Sequence, residues 1–312
     1  MNPMQALIAK TSGAAALLGL LTAMPAAADP FFFSTGNPDG RMATASRPDT
    51  AVSPAPSNEI ESADDFVLTS ETNIRSATFT GLLPTGFSPG NIDQVVVQIY
   101  HVFPVDSTTP PDTRVPTRVN SPSDVELADR NSSVNTLSFS TTVVNPSFTA
   151  ANSVLNGINA CPCPPAPMTG GEGPVTGAEV TFTVNFATPF DLPADHYFFV
   201  PQVQDSDGNF FWLSAPRPII PPGTAFPPGA TDLQEWIRNA ALEPDWLRVG
   251  TDIVGGANPP TFNATFSLTG ETVAAAAPEP ASMSLLGAAL AGMGLFGWRR
   301  GRRNRSSART SM

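Results

Sequence analysis

The sequence predicts an all-β body built as an antiparallel two-layer β-sandwich. Many short segments alternate between apolar and polar residues, which is the pattern of strands with one buried face. The connections between these segments are rich in proline and glycine, of which the 312-residue chain contains 34 and 24. Because crossover helices are missing from the pattern, a parallel α/β sheet is excluded. The many short strands favour a jelly-roll or immunoglobulin-like (Ig-like) sandwich with one short helix.

Alternation identifies the strands in chain order. It is clearest in residues 179–186, where four apolar side chains point inward and Glu179, Thr181, Thr183 and Asn185 point to water. One face of that strand is therefore expected to meet solvent. We predict nine or ten strands, which include residues 64–68, 74–79, 92–103, 134–144, 179–186, 197–204, 210–213 and 262–268.

A single helix is predicted at Asp232–Ala241. Thr231 can cap its first turn, and Pro244 ends it. Helical spacing places an apolar stripe on one side of this segment. The stripe consists of Leu233, Trp236, Ile237 and Ala240.

The beginning of the chain has the pattern of an export signal. Lys10 precedes an apolar stretch at 13–24, and three alanines at 26–28 form a small-residue cleavage site before Asp29. A permanent N-terminal anchor is the alternative, but the stretch is short for a membrane span. We therefore expect residues 1–28 to be a signal peptide with a helical apolar region.

The body between the two ends holds about 250 residues, enough for one large all-β domain. Its first part is rich in Pro, Ser, Thr and Asn, which predicts a flexible leader over 29–60. Within it, Phe31, Phe32 and Phe33 could be an edge strand or simply the start of the mature chain. The β-sandwich domain is predicted at 61–272.

The body is strongly acidic. Residues 29–277 contain 26 acidic residues, nine arginines and no lysine, a formal balance of −17. No basic patch is present to attract phosphates, so nucleic acid is excluded as a partner. Divalent cations are a more natural partner for such a surface, although acidity also serves simply to keep an exported protein soluble.

A linker at 273–280 leads to a distinctive tail. Pro278, Glu279 and Pro280 precede eighteen residues without charge at 281–298. As a helix this segment is about 27 Å long, against a hydrocarbon core of roughly 30 Å, so we predict a transmembrane helix. A buried helix with a basic face is the alternative, but the segment has no polar stripe.

A basic cytoplasmic tail is predicted at 299–312. The positive-inside rule keeps its arginines in the cytoplasm. They include Arg299, Arg300, Arg302, Arg303 and Arg305.

The Pro-Glu-Pro tripeptide, the hydrophobic helix and the basic end follow one another in the order of the PEP-CTERM sorting signal of Gram-negative bacteria, which this tail resembles. The resemblance covers about a tenth of the chain. It implies handling by an exosortase-type membrane protease that recognises Pro278, Glu279 and Pro280, and association with exopolysaccharide or biofilm. The protein is then anchored in the inner membrane at least transiently with its body in the periplasm. Its final place is the cell surface or the extracellular space.

The body itself gives a weaker resemblance. Residues 63–68, with Ile74 and residues 79–81, are similar to the opening of β-sandwich modules in exported bacterial proteins of unassigned activity. A sandwich does not dictate an activity. From the association with exopolysaccharide or biofilm that the tail implies, we expect a non-catalytic binding or structural component of the cell envelope. The alternative is a secreted glycan-active hydrolase that uses paired carboxylates.

One short segment has the chemistry of a calcium site. Residues 197–204 and 210–213 are predicted to form a hairpin, and its turn places Asp205, Asp207 and Asn209 at alternate positions. The spacing differs from an EF-hand loop, and a plain hairpin turn favours the same residues. Calcium is the one cofactor that the sequence suggests.

Few other residues are candidates for a disulfide, for catalysis or for ligand binding. Cys161 and Cys163 lie in a Pro- and Gly-rich loop, where an oxidising compartment favours a small disulfide. Only two histidines, His101 and His196, are available as catalytic bases. The aromatic run at 197–199 and the one at 210–212 could stack on sugars or pack in the core.

Overall fold

The computed structural model describes residues 28–49, 59–106, 114–159, 168–216 and 234–273. These residues are mostly β, as predicted, and nearly all strand pairs are antiparallel. Short 3₁₀ turns lie at Pro89–Asn91 and Ser132–Val134, and a π-helical turn lies at Val249–Val254. The strands are β1 Pro30–Ser34, β2 Ala43–Ala45, β3 Ile60–Val67, β4 Thr72–Leu83, β5 Ile92–Val102, β6 Pro122–Asn131, β7 Leu137–Ala150, β8 Ser153–Val154, β9 Val175–Leu192, β10 His196–Asp205, β11 Gly208–Asn209, β12 Phe211–Ala215, β13 Trp236–Asn239, β14 Leu247–Arg248, β15 Asn263–Ala264 and β16 Phe266–Thr272.

The strands form two sheets. In the nine-stranded sheet the order is β1-β16-β4-β12-β2-β8, with β9 beside β4, β7 beside β9, and β15 beside β12. In the seven-stranded sheet the order is β14-β13-β3-β10-β5-β6, with β11 on β10. Only β2 and β8 pair in parallel among the described strands. Consecutive strands often belong to different sheets, so the chain passes repeatedly from one sheet to the other.

The two sheets share one main core. Phe199 of the seven-stranded sheet stacks on Phe266 of the nine-stranded sheet with ring centroids 5.0 Å apart. Phe79 and Phe182 stack at 4.9 Å on neighbouring strands. The indole N–H of Trp212 donates to a backbone carbonyl at 2.7 Å, which satisfies its polar atom inside the core. Each such buried aromatic ring contributes roughly 1.5–3 kcal/mol by leaving water.

A second apolar cluster covers the other face of the seven-stranded sheet. Strand β10 alternates, so Tyr197 and Phe199 enter the main core while Phe198 and Val200 point the opposite way. This second cluster is completed by Ala63, Tyr100, Trp236 and Trp246. The seven-stranded sheet is therefore buried on both faces around its central strands β3 and β10, whereas β6 at its edge keeps Val125 and Leu127 exposed.

Several strands confirm the alternation pattern. The predicted strand at 92–103 is β5, the strand at 179–186 lies inside β9, and the segment at 262–268 forms β15 and the first part of β16. The four inward side chains predicted in 179–186 are all buried. Alternation was reliable here because each of these strands presents its apolar side chains to the main core.

The predicted helix at Asp232–Ala241 is wrong. Trp236–Asn239 is a strand that pairs with β3 and β14, and a turn follows it. Trp236 packs in the second cluster while Ile237 packs on the opposite side of the strand. A strand buried on both faces has no polar face, so its apolar residues matched the helical spacing by chance.

The predicted flexible leader at 29–60 is also wrong for part of its length. Strand β1 pairs with β16 over five residues, and β2 pairs with β12. Phe33 is 7% exposed and contacts the rings of Phe66 and Phe266. The edge-strand interpretation of the three phenylalanines is therefore confirmed, because burial of Phe33 outweighs the polar composition around it. Residues 50–58 lie outside the described part.

The predicted hairpin between 197–204 and 210–213 does not form. Strand β10 pairs with β11 over only two residues, and β12 joins the other sheet beside β4 and β2. Phe210, between β11 and β12, is fully buried in the main core. Because that ring is buried between the sheets, the chain passes at this point from the seven-stranded sheet to the nine-stranded sheet.

Both terminal segments, including the predicted helix at 281–298, lie outside the described residues. Residues 28–273 form one compact unit. Within the described ranges, no helix has the length and apolar character needed to cross a bilayer.

The docking of β1 is testable with neighbouring phenylalanines. We expect Phe33→Ala to lower the free energy of unfolding by about 3 kcal/mol, because a large side chain leaves the core. Phe32→Ala should change it by less than about 0.5 kcal/mol, since Phe32 is 65% exposed. Urea unfolding followed by tryptophan fluorescence measures both. Equal losses in the two variants would contradict the observed burial pattern.

Candidate functional site

Part of the predicted site lies outside the described residues. This applies to the sorting tripeptide, the tail arginines and the cysteine pair, whose assignments stay predictions. The residues concerned are Pro278, Glu279, Pro280, Arg299, Arg300, Arg302, Arg303, Arg305, Cys161 and Cys163.

The three residues predicted to bind calcium lie at the β10–β11 turn and accept hydrogen bonds from protein donors. Asp205 accepts from the backbone N–H of Asp207 at 3.1 Å. Asp207 accepts from the backbone N–H of Ser88 and from the Asn91 amide, and Asn209 accepts from Arg47. Within the described ranges, no group of three or more His, Cys, Asp or Glu side chains is placed to hold a metal ion. Calcium at this turn stays a prediction.

Both histidines pair with carboxylates at strand ends. His101 Nε2 lies 3.0 Å from Asp106 Oδ2, and His196 Nε2 lies 2.7 Å from Asp65 Oδ2. Asp65 is buried, so this pair holds the start of β10 against β3. These contacts give each imidazole a structural role.

The aromatic runs do not form a sugar-stacking platform. Tyr197, Phe198, Phe199, Phe210 and Trp212 are all buried. Only Phe211 is partly exposed. Core packing, which was the alternative for these rings, therefore explains them.

A buried polar network crosses the second cluster. The Tyr100 hydroxyl donates to Glu61 Oε1 at 2.7 Å, and the Arg238 guanidinium donates to the other oxygen of the same carboxylate. Arg238 also lies over the Trp246 ring at 4.3 Å. Burial, followed by the neighbouring Glu61 charge, raises the pKa of the Tyr100 hydroxyl. The network satisfies the charge of each buried partner, which is what lets an ion pair persist here.

An acidic cavity of about 290 Å³ opens beside this network. Burial, followed by the charge of Asp129, raises the pKa of Glu126. Burial also raises the pKa of Glu59, against an opposing hydrogen bond from Gln202. The cavity thus brings several carboxyl groups close together. Its lining consists of Glu59, Glu61, Gln98, Tyr100, Asp124, Val125, Glu126, Arg238 and Glu243.

The outer face of the nine-stranded sheet carries an uncharged array that we call the hydroxyl face. Strand register places its side chains in three rows across β16, β4, β9 and β7. Cross-strand hydrogen bonds join Thr78 to Ser267 at 2.6 Å and Thr80 to Thr181 at 2.9 Å. The rows are Ser267, Thr78, Thr183 and Ser140; Thr269, Ser76, Asn185 and Ser138; and Thr80, Thr181 and Thr142.

Sequence reasoning found part of this face. The alternation in 179–186 placed Glu179, Thr181, Thr183 and Asn185 toward water. The structure confirms that Thr183 and Asn185 are exposed and Thr181 partly so, but Glu179 is buried, so the prediction is wrong for that residue. The rows themselves depend on which strands are neighbours, and β4 and β16 are far apart in the chain. No local signal could have brought their hydroxyls together.

Asp64 and Glu235 are among the buried carboxyl groups that have one oxygen without a hydrogen-bond partner, as does Asp205 at the β10–β11 turn. Asp64 accepts from the backbone N–H of Ala264 at 2.9 Å through one oxygen only. Glu235 accepts from the Thr44 hydroxyl through one oxygen only. Burial raises the pKa of Glu235 to about 8. Burial, then the charges of Asp65 and Glu235, raises the pKa of Asp64 well above its usual range. Sequence reasoning missed Glu235 because it fell in the wrongly predicted helix.

The proton on Glu235 predicts a pH dependence of stability. The folded protein keeps this proton up to about pH 8, while an unfolded glutamate releases it near 4.5. The unfolded state therefore binds fewer protons in this window, and the free energy of unfolding falls as pH rises, by up to about 1.4 kcal/mol per unit. Glu235→Gln should make this fall shallower, and Asp64, whose pKa burial also raises, continues to contribute to it.

Urea unfolding at pH 5, 6, 7 and 8 measures the effect. As a control, Glu271→Gln alters an exposed carboxylate that pairs with Arg75, and its curve should run parallel to that of the unsubstituted protein. A parallel curve for Glu235→Gln would show that Glu235 is not protonated in the fold.

Comparison with known proteins adds one result. The family model described as the PEP-CTERM protein-sorting motif matches residues 276–303. No curated protein and no solved structure matched the chain. The chain thus carries a PEP-CTERM sorting motif, which confirms the prediction from the tail and implies export and processing by exosortase, a membrane protease.

Proposed function

We propose that this protein is a non-catalytic component of the cell envelope or extracellular matrix that associates with exopolysaccharide or biofilm. The observation that carries the proposal is the sorting motif at 276–303. Before processing, the helix at 281–298 holds the chain in the inner membrane with the body in the periplasm. Processing then delivers the body to the cell surface or beyond. The two sheets serve as the layers of a β-sandwich of the jelly-roll or Ig-like type.

The hydroxyl face supports a role in polysaccharide binding. Serine and threonine hydroxyls both donate and accept hydrogen bonds, as sugar hydroxyls do. Neighbouring strands are about 4.8 Å apart, so the rows offer a regular series of such groups. None of the eleven residues is charged, although the body has a formal balance of −17. A neutral polysaccharide is therefore the partner that this surface suits, and an anionic one would be repelled by the rest of the body.

The test is co-sedimentation of the full chain in mild detergent with an insoluble neutral polysaccharide. The double variant Thr183→Asp with Ser140→Asp places two carboxylates at neighbouring positions of one row, on the adjacent strands β9 and β7. We expect binding to weaken about tenfold, because two hydrogen-bonding hydroxyls are lost and two charges must be desolvated.

The matched control adds the same two charges elsewhere. Thr85→Asp with Thr251→Asp alters exposed residues that lie off the hydroxyl face, so it should bind like the unsubstituted protein. Failure of the unsubstituted protein to bind any polysaccharide, neutral or anionic, would contradict the proposed function. Equal weakening of binding in both double variants would show that the hydroxyl face is not the surface that binds polysaccharide.

A secreted glycan-active hydrolase is the second candidate, and the acidic cavity favours it. Glu126 has a raised pKa, as a general acid requires, and it lines the same cavity as Glu61. If this candidate holds, the full chain releases reducing sugars and Glu126→Gln lowers the rate at least about a hundredfold. Glu271→Gln, outside the cavity, should retain the rate. Binding without release of sugars would remove this candidate.

A further inference from the structure

The nine-stranded sheet ends in a long strand with one unused edge. Among the described strands, β7 pairs only with β9. Its first eight residues, Leu137–Val144, contain no charge, no proline and no glycine. Every position in this stretch is therefore able to pair with another strand. Such a segment at a sheet edge is a template for pairing with a further strand.

The other outermost strands carry the features that normally prevent such pairing. Strand β6, at the edge of the other sheet, contains Asp124, Glu126, Asp129 and Arg130. Strand β1 is five residues long and begins with Pro30, while β8 and β14 have two residues each. In β7 itself, Pro146 and two register shifts follow Val143 and break the regular edge of the second half. Among the outermost strands that the structure describes, only β7 has a long unprotected stretch, at Leu137–Val144.

We propose that β7 pairs with β7 of a second copy of this chain, antiparallel and about a two-fold axis through Ser140. In this register Phe139 lies opposite Thr141, Ser138 opposite Thr142, and Leu137 opposite Val143. Each residue meets one from the same face of the strand, because positions that pair about Ser140 are separated by an even number of residues. Leu137 therefore meets an apolar side chain and Ser138 meets a hydroxyl, while the Phe139 ring packs beside the methyl-bearing Thr141 side chain.

Charge and exposure select a second copy as the occupant. The body is strongly acidic, yet β7 offers no carboxylate to a basic strand and no repulsion to an identical strand. Val143 is 48% exposed and Val144 is 58% exposed. Pairing about Ser140 covers the Val143 side chain with Leu137 of the second copy. This assembly goes beyond the proposed function and does not require any polysaccharide.

Disulfide trapping tests the register. Opposite residues in an antiparallel pair have Cα atoms about 4.5–5.5 Å apart, which is within the range of a disulfide. We expect Ser140→Cys, made in full-length protein with Cys161→Ser and Cys163→Ser, to give a covalent dimer on mild oxidation. Ser267→Cys is the control, because this residue lies on the same face but on the interior strand β16. It should remain monomeric on a non-reducing gel.

A charge variant tests the association itself. Ser140→Lys places two lysines face to face at the axis, so the dissociation constant of the dimer should rise about tenfold in sedimentation equilibrium of the full chain in nonionic detergent. Thr183→Lys adds the same charge to the interior strand β9 and should leave the constant within about twofold. A monomeric Ser140→Cys protein, or an unchanged constant for Ser140→Lys, would overturn the proposal.

Discussion

Burial of β10 on both faces is the constraint on which the rest of the structure depends. Tyr197 and Phe199 require the nine-stranded sheet on one side, and Phe198 and Val200 require a second cover on the other. That cover comes from the loops around Trp246, whose indole N–H donates to the carbonyl of Ser123 at 3.3 Å. The outer face of the nine-stranded sheet is covered only in part. Leu82 and Leu213 are buried there in a small apolar cluster, while the rows across β16, β4, β9 and β7 keep exposed and partly exposed hydroxyls.

The buried charges differ in how they are compensated. Glu61 receives hydrogen bonds from both Tyr100 and Arg238, so its burial is offset by partners. Asp64 and Glu235 have no cationic partner of that kind and keep one oxygen each without a hydrogen bond. Holding a proton is the less costly state for such groups, since an unpaired buried carboxylate is strongly unfavourable. The same acidic sequence therefore supplies both ionic contacts and neutral buried acids, and only the structure distinguishes them.

Sequence reasoning succeeded for long strands and failed for a short strand that is buried on both faces. The strand at 175–192 was recognised because its buried side chains recur at every second residue in its middle part, and the strand at 92–102 was recognised by its length and apolar alternation although both of its faces are covered. Trp236–Asn239 is buried on both sides, which removes the periodic signal and gave a false helix. The hydroxyl face was predicted on β9 but not across the sheet, since register joins strands from distant parts of the chain. The sorting motif was found because its signal lies in the order of residues 278–305, independent of any fold.

The proposed edge pairing and the proposed polysaccharide binding would reinforce each other physically. Two chains joined through β7 continue one sheet, so their hydroxyl faces lie side by side with Ser140 at the junction. A polymer that contacts one face then meets the second at high effective concentration, and the linked faces hold it far longer than either alone. Weak individual hydrogen bonds would thus suffice for firm association, because the polymer offers many repeats. In such an assembly the uncharged edge keeps two acidic bodies together, and the remaining surface charge limits further, irregular aggregation.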